Sequence, residues 1–501
     1  MPEAAEFAYE FRLLPPQRQG QRILFRWEES QPTGLFERTS FHLEFPKDIE
    51  VGRIPEAVWW SAFLLCMHVQ WSLLGSCLVR LPIALAPGQR EVLLRLMDTY
   101  CDTLDALCPD ARPARRLEIL EEGPLLPAGP SPAGVNGMAI AYSGGKDSLA
   151  TVGLALEMGY SPRLVTVNSP MPGLHYDVSS HRQRAMDLIG KRTGLPLIEV
   201  KSDMRGVWNN FHPREMGYPL SMNELTDTML YTAALFVVGH HFGAGQLLLA
   251  SENELATMVC REGRLLQHSH FMYSALTQYG IGLFLSPFGI RHGSLTSSLR
   301  SSQVQQLLTR DFRRLRDIQT SCWRLSPERR ACSECGECRR LAWVCMAHGG
   351  DPADQGIDLV HMLNNYVIAP PNEANGSRHE PNRLASNGFR MQFVDAIAGI
   401  APLKVLLHIL RHHPMSLMNG KGWKAYRRFR ELHTMHMSQL EGMPTETGFR
   451  ARYLELLEPG LRSRLFKFLR SRFDEEPDDS YAESHRCLLE GMRRLESSTM
   501  K

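Results

Sequence analysis

The sequence predicts an α/β protein built on a parallel, helix-covered sheet, and three observations predict it. Short apolar runs at 138–142 (MAIAY), 163–167 (RLVTV), 196–200 (PLIEV) and 246–250 (QLLLA) read as buried strands. Helical patterns at 149–158, 178–191 and 223–241 separate them, which is the spacing of right-handed βαβ crossovers. A glycine-rich segment, Ser143-Gly144-Gly145-Lys146-Asp147-Ser148, follows the first run directly and opens the first helix.

Taken in order, the chain divides into three parts. Residues 21–26 and 36–45 alternate apolar and polar around Pro32-Thr33-Gly34, as an antiparallel pair does, and helical pattern covers 55–79 and 88–107. This is an N-terminal α+β accessory domain over 1–122, closed by a Pro/Gly-rich linker at 123–137. The strand–helix alternation fills 138–350. A second linker at 369–388 leads to a C-terminal helical region, 389–501, rich in arginine up to 472, where the acidic run at 474–479 follows. Its basic stretches read as solvated helix faces, and Trp423, Tyr426, Phe429, Phe466 and Phe468 as core.

Composition excludes several classes. At about 100–200 residues per domain, 501 residues suggest two to four domains. With 43% apolar residues there is ample material for a core, so a disordered or fibrous chain is excluded. Lys plus Arg number 56 against 54 Asp plus Glu, so no global field points to nucleic acid as a partner. The N-terminus lacks a basic start and apolar run, so no secretory leader is expected. Ala57–Val79 is long enough to span a bilayer, but His68, Gln70 and its serines favour a buried helix. The expected setting is cytoplasmic, with no membrane partner.

The glycine segment has the chemistry of an anion cradle. Two glycines let the backbone turn sharply and approach a phosphate. The helix start offers unpaired N–H groups and its positive dipole end. Ser143 and Ser148 add hydroxyls, Lys146 a cation, and Asp147 either a Mg²⁺ ligand or a cap. It is neither GxxxxGK[ST] nor GxGxxG. Lys201, just past the third strand, reads as a second cation for the phosphates or as a surface lysine. Ser251-Glu252-Asn253-Glu254 follows the fourth strand, where ligands bind in open parallel sheets; Glu252, Asn253 and Glu254 read as site residues or as helix caps. His268 and His270, two apart, read as proton-transfer groups or as plain loop histidines.

Eleven cysteines are too sparse for a disulfide scaffold, but four are clustered. Cys322, Cys332, Cys335 and Cys338 form C-x9-C-x2-C-x2-C, which suits tetrahedral Zn²⁺, with an iron–sulfur cluster as the alternative. Cys345 and the other six read as core thiols.

Ser143–Ser148 matches, residue for residue, the PP-loop of the ATP pyrophosphatases. That resemblance implies an adenine-nucleotide-binding sheet that cleaves ATP between the α- and β-phosphates with Mg²⁺. It implies transfer of AMP to a substrate oxygen, release of pyrophosphate, and displacement of AMP by a nucleophile. The pyrophosphate end would sit on 143–148 and the adenine near Val167, Asn168 and Ser169. The loop and the later cysteines together resemble the 7-cyano-7-deazaguanine synthases, the QueC-like group, over 138–345. There the four cysteines bind structural zinc, and a carboxy-deazaguanine is adenylated and converted with ammonia to the amide and nitrile. The long extensions are also similar in layout to MurL-type epimerases, which adenylate the terminal glutamate of a UDP-muramoyl dipeptide. They are similar, too, to QueC-like antiphage defence proteins, which modify a partner protein. Where the epimerase pattern carries Asn-His-Gln-x-Ser-Lys-Ser, this chain reads Gln267-His268-Ser269-His270-Phe271-Met272-Tyr273-Ser274, without the lysine.

The expected function is therefore an AMP-forming enzyme acting on a small-molecule carboxylate. Two other readings stand beside it. One is a tRNA sulfurtransferase, which needs free cysteines or an iron–sulfur cluster. The other is a non-catalytic ATP-binding module, with a protein partner or a second copy docking on the extensions.

Overall fold

The computed structural model describes residues 7–108, 115–129, 137–170, 178–218, 220–268, 270–320, 322, 330–366, 400–412, 419–440 and 448–497. The second expected linker, 369–388, and part of the first lie outside these residues.

Twelve strands are present among the described residues: β1 (Tyr9–Gln19), β2 (Arg22–Glu29), β3 (Ser40–Glu44), β4 (Ser76–Leu81), β5 (Arg116–Glu121), β6 (Gly137–Ala141), β7 (Arg163–Asn168), β8 (Leu197–Ser202), β9 (Ala244–Leu248), β10 (Met258–Arg261), β11 (Arg264–Gln267) and β12 (Arg291–Gly293). Ten of them form one sheet in the order β12-β9-β6-β7-β8-β3-β2-β1-β4-β5, and β10 pairs with β11 as a hairpin. The sheet is mostly parallel. β12, β9, β6, β7 and β8 run together and β1, β4 and β5 run together in the opposite sense, with antiparallel β3 and β2 linking the two blocks.

The four strands read from the apolar runs are β6 to β9. β6, β7 and β9 are short, apolar and largely buried, as in a helix-covered parallel sheet, whereas β8 alternates and leaves Lys201 exposed. The helices between them span Lys146–Glu157, Val178–Thr193 and Met222–His241.

Two features of the N-terminal part differ from the sequence reading. The helix expected over 55–79 ends at Leu74; Gly75 turns the chain at φ +74° and Ser76–Leu81 becomes β4. An apolar run has no periodicity to mark that change from helix to strand. β1 carries Pro15-Pro16 where its register with β2 shifts, a bulge that tolerates residues without N–H donors.

The N-terminal part shares its sheet with the rest of the chain. β3 pairs antiparallel with β8 through Leu43↔Ser202 and Glu44↔Lys201, so the parallel block has no open edge on that side. One apolar core also crosses this line. It joins Trp27, Phe41, Trp60 and Phe63 to residues of the helix Met222–His241. Glu56–Leu74 is, among the described residues, the one helix long and apolar enough to cross a membrane, and 94% of its apolar window is buried in the fold.

Two smaller cores complete the molecule. Leu461, Leu465 and Leu469 of the helix Pro459–Arg470 pack with Leu149 and Val152 behind β6. Trp343, on the helix Gly336–Ala347, packs with Ile409 and Phe429 of the helices Pro402–His412 and Lys421–Leu440. Phe429 is core, as expected, but Trp423 is 48% exposed.

The strand order places the site. From β6 the chain steps outward to β7 and β8, then returns across β6 to β9 and β12. β6 and β9 therefore flank the point where the order reverses, and the crevice beyond their carboxyl ends is where such sheets bind ligands.

Candidate functional site

The first wall of that crevice is the loop after β6. Gly144 adopts φ +78°, and a Cβ there would stand 2.9 Å from the Ala185 Cβ. Side chains rarely reach this conformation, and this one has no room for one. Ser143 Oγ lies 3.3 Å from Ser148 Oγ and accepts from the Gly145 N–H at 3.3 Å, which curls the backbone toward the helix start. The helix opens at Lys146, so its first-turn N–H groups have no intrahelical acceptor.

The second wall is Ser251–Glu254, after β9. The buried Ser251 is fixed by Ser294 and Thr296 in the segment following β12: its N–H donates to Ser294 Oγ at 3.1 Å, and its carbonyl accepts from Thr296 Oγ1 at 3.1 Å. Asn253 does not cap the short helix it begins. Its amide donates to the Ser297 carbonyl at 2.8 Å, and its Oδ1 accepts from Arg450 Nη1 at 2.7 Å. Glu254 accepts from the Ser301 N–H at 3.1 Å.

Lys146 joins the two walls. Its buried ammonium donates to Asp147 Oδ1 at 2.5 Å and to Glu252 Oε2. Arg340 approaches Glu252 from the other side at 4.0 Å. Arg340 belongs to the helix Gly336–Ala347, which starts in the cysteine cluster and is itself ion-paired to Glu337. A small cavity beside Lys146 is lined by Ser301, Gln305, Gln319, Glu337 and Arg340 together with Leu341 and Val344.

The electrostatics follow from Asp147, Glu252 and Glu254 lying close to Lys146, with Arg340 near Asp147 and Glu252 and Arg300 near Glu254. Burial raises the proton affinity of Glu252, but Lys146 and Arg340 outweigh it and hold the group down at about 2. Burial pushes Asp147 up to about 7, with Glu252 adding to the shift against the pull of Lys146. Burial and Glu252 likewise push Glu254 up to about 7. The site thus keeps one carboxylate firmly ionised and two poised near neutrality.

The other expected residues are placed as follows. Val167 is buried, and its carbonyl accepts from Tyr231 Oη at 3.3 Å; Asn168 ends β7 and donates to Glu199 at 2.8 Å. Lys201 is not with Lys146. It lies at the β8–β3 junction opposite Glu44, on the exposed phase of the strand. Burial and the neighbouring His270 hold His268 down at about 3, so it stays neutral through the physiological range. Its Nδ1 accepts the His270 N–H at 3.1 Å.

Sequence reasoning missed Arg340, and it missed a pair beyond β7 between a buried arginine and a half-buried aspartate. Arg205 donates twice to Asp227 at 2.6 Å and once to the Ser169 carbonyl at 3.0 Å, beside the end of β7. No spacing rule links these positions, so no signal in the sequence could have found them.

The cysteine cluster is assembled. The Sγ atoms of Cys322, Cys332, Cys335 and Cys338 all lie within 4.8 Å of one another and could hold a metal ion such as zinc. Separations of 3.9 Å (Cys322–Cys335), 3.9 Å (Cys332–Cys338) and 3.5 Å (Cys335–Cys338) approach the spacing of about 3.8 Å that tetrahedral Zn–S bonds of about 2.3 Å impose. The Cys335 N–H points at Cys332 Sγ (3.3 Å) and the Cys338 N–H at Cys335 Sγ (3.5 Å), as tight knuckles do. Cys345 is a buried thiol outside the cluster. Two residues before Cys322, the Thr320 N–H donates to the Gly144 carbonyl at 2.9 Å, tying the knuckle to the glycine loop. Comparison of the chain with family models, with curated proteins and with solved structures gives no match.

Proposed function

We propose that the protein is an AMP-forming, ATP-dependent enzyme of the PP-loop type that activates a carboxylate. One observation carries this reading: a glycine loop and an acidic segment face each other at the carboxyl ends of β6 and β9, and Lys146 bridges them through Asp147 and Glu252.

The residues fit a nucleotide and a divalent cation. Gly144, at φ +78° and packed on Ala185, gives the tight turn that leads the loop into the helix start, where N–H groups can meet a phosphate. Asp147 and Glu254 are held partly protonated by burial, with the charge of Glu252 adding to it. ATP would supply an activated AMP group, and Mg²⁺ would neutralise charge on its phosphates. The loop N–H groups, Ser143 and Ser148 would orient the pyrophosphate end, and Lys146 would stabilise negative charge as the bond to it breaks. Asp147 and Glu254 are the cation ligands of this reading, and Glu252 holds Lys146 in place. Arg205, beside the carbonyl of Ser169, marks the adenine or acceptor end. His268 stays neutral, and with its Nδ1 accepting the His270 N–H it would offer an Nε2–H hydrogen bond to the substrate rather than act as a base.

The arrangement of a cysteine knuckle tied to the glycine loop supports the QueC-like version of this reading, with a deazaguanine-type carboxylate as the first acceptor to try. The test measures AMP and pyrophosphate formed from ATP and Mg²⁺ with a panel of carboxylates, each with and without ammonia. The panel includes 7-carboxy-7-deazaguanine and a UDP-muramoyl dipeptide. AMP formation that depends on one carboxylate and vanishes in Asp147→Ala is expected. Release of ADP and phosphate instead would sink the reading.

A further inference from the structure

Away from the crevice, a second group of metal-type ligands is brought together by residues remote in sequence. Asp351 follows the helix Gly336–Ala347 and caps the next turn, its Oδ1 accepting the Ala353 N–H at 2.9 Å. His408 and His412 stand one turn apart on the helix Pro402–His412 and so share a face. His412 Nε2 lies 2.8 Å from Asp351 Oδ2, His408 Nδ1 lies 3.6 Å from Asp351 Oδ1, and the two rings are 4.7 Å apart between centroids. One ligand atom from each residue falls within 4.8 Å of the other two.

We propose that Asp351, His408 and His412 form a second metal site, for a divalent ion of the zinc class. Bonds of about 2.0–2.2 Å from nitrogen and oxygen to a tetrahedral ion bring ligand atoms to about 3.3 Å, which small rotations of these side chains reach. Two histidines at i and i+4 present both nitrogens to one ion, and a carboxylate from another segment completes a three-ligand face. The chemistry is distinct from the cysteine cluster: imidazole and carboxylate with an open position for water, against four closed thiolates. The three side chains are half-buried, at 26%, 12% and 30% exposure, so an ion can exchange with solvent. Its structural effect would be a clamp. The ion would fasten the helix Pro402–His412, which already packs Val405 and Ile409 near Trp343, to the chain leaving the cysteine knuckle. Nothing in this site depends on the nucleotide reading.

The test counts metal in the untagged full-length protein after equilibration with Zn²⁺ and desalting. Two zinc ions per chain are expected. His412→Gln and Asp351→Asn should each lower the count to one, and Cys335→Ser should remove the other. One zinc in the wild-type protein overturns the proposal, as does a count of two that His412→Gln leaves unchanged. Cobalt gives a readout that needs no variant. Two equivalents should bind, only one of them with intense thiolate charge-transfer absorption, the second adding weak d–d bands alone. Saturation at a single equivalent overturns the site.

Discussion

Lys146, which opens the helix after β6, and Glu252, which follows β9, form a buried ion pair across the point where the strand order reverses. The pair closes the crevice floor and sets the charge of everything above it. Breaking it leaves a buried carboxylate short of a partner. Lys146→Met should therefore destabilise the protein by about 3–5 kcal/mol. The double variant Lys146→Met/Glu252→Met should recover most of that loss without recovering activity. Urea unfolding of the single and double variants measures the coupling; additive losses would show that the two side chains do not interact.

Protonation of the same cluster gives stability a defined pH dependence. Unfolded, Asp147 and Glu254 ionise near about 4. Folded, they hold their protons up to about 7. Between those values the native state binds more protons than the unfolded one, so their contribution to stability falls as pH rises. Glu252 acts in the opposite sense. Its contribution is complete above its ordinary value and is lost as pH falls toward about 2. Without Mg²⁺ or nucleotide, Asp147→Asn should melt above the wild type at pH 8, at about 1 °C per kcal/mol gained for a chain of this length, with the difference shrinking at pH 5. An equal gap at both pH values would refute the assignment.

The Arg205–Asp227 pair makes a further stability prediction. Arg205 is buried, and Asp227 receives two of its donors. Asp227→Ala would leave the guanidinium desolvated with the Ser169 carbonyl and Tyr231 to meet it but no carboxylate. A loss of about 3–5 kcal/mol is expected from chemical denaturation, against about 1 kcal/mol or less for a surface ion pair such as Arg493–Glu490.

The cysteine knuckle should report its metal through Trp343. That indole lies fully buried in the same core as Cys322 and Cys338. Metal binding contributes on the order of 10 kcal/mol to the folding of such units. Stripping the metal with a strong chelator should expose Trp343 and red-shift its emission. The shift should be absent in Trp343→Phe, and Cys335→Ser should resemble the stripped protein. A Trp343 signal indifferent to metal would contradict the coupling.

Much of the architecture was legible in the sequence, for physical reasons that can be named. β6 to β9 announce themselves because each is a short apolar run bounded by glycine, proline or polar residues and followed by a helix-length segment. The glycine loop announces itself because Gly144 needs a backbone conformation that other residues avoid. Ser251–Glu254 was found by position alone, as the segment leaving a parallel strand. β4 was hidden because Cys77, Leu78 and Val79 continue the apolar composition of the preceding helix. The junction of β3 with β8 was hidden because backbone groups make it, and backbone groups leave no mark on residue choice. The same limit applies to the site. Lys201 follows a strand as Lys146 does, but strand alternation turns it outward opposite Glu44, whereas Lys146 heads a helix and points inward. Arg340, Arg205 and Asp227 gain their roles from tertiary proximity, which no local spacing encodes.

The central claim is that the loop Ser143–Ser148 holds the phosphates of ATP, and equilibrium binding tests it without knowledge of the acceptor. Calorimetric titration with the non-cleavable α,β-methylene analogue of ATP and Mg²⁺ should show one site per chain. Binding should be at least tenfold weaker in Gly144→Ala and in Lys146→Ala, both checked for folding by circular dichroism. Failure of the folded wild-type protein to bind the analogue, or equal binding by folded Gly144→Ala, would contradict the account.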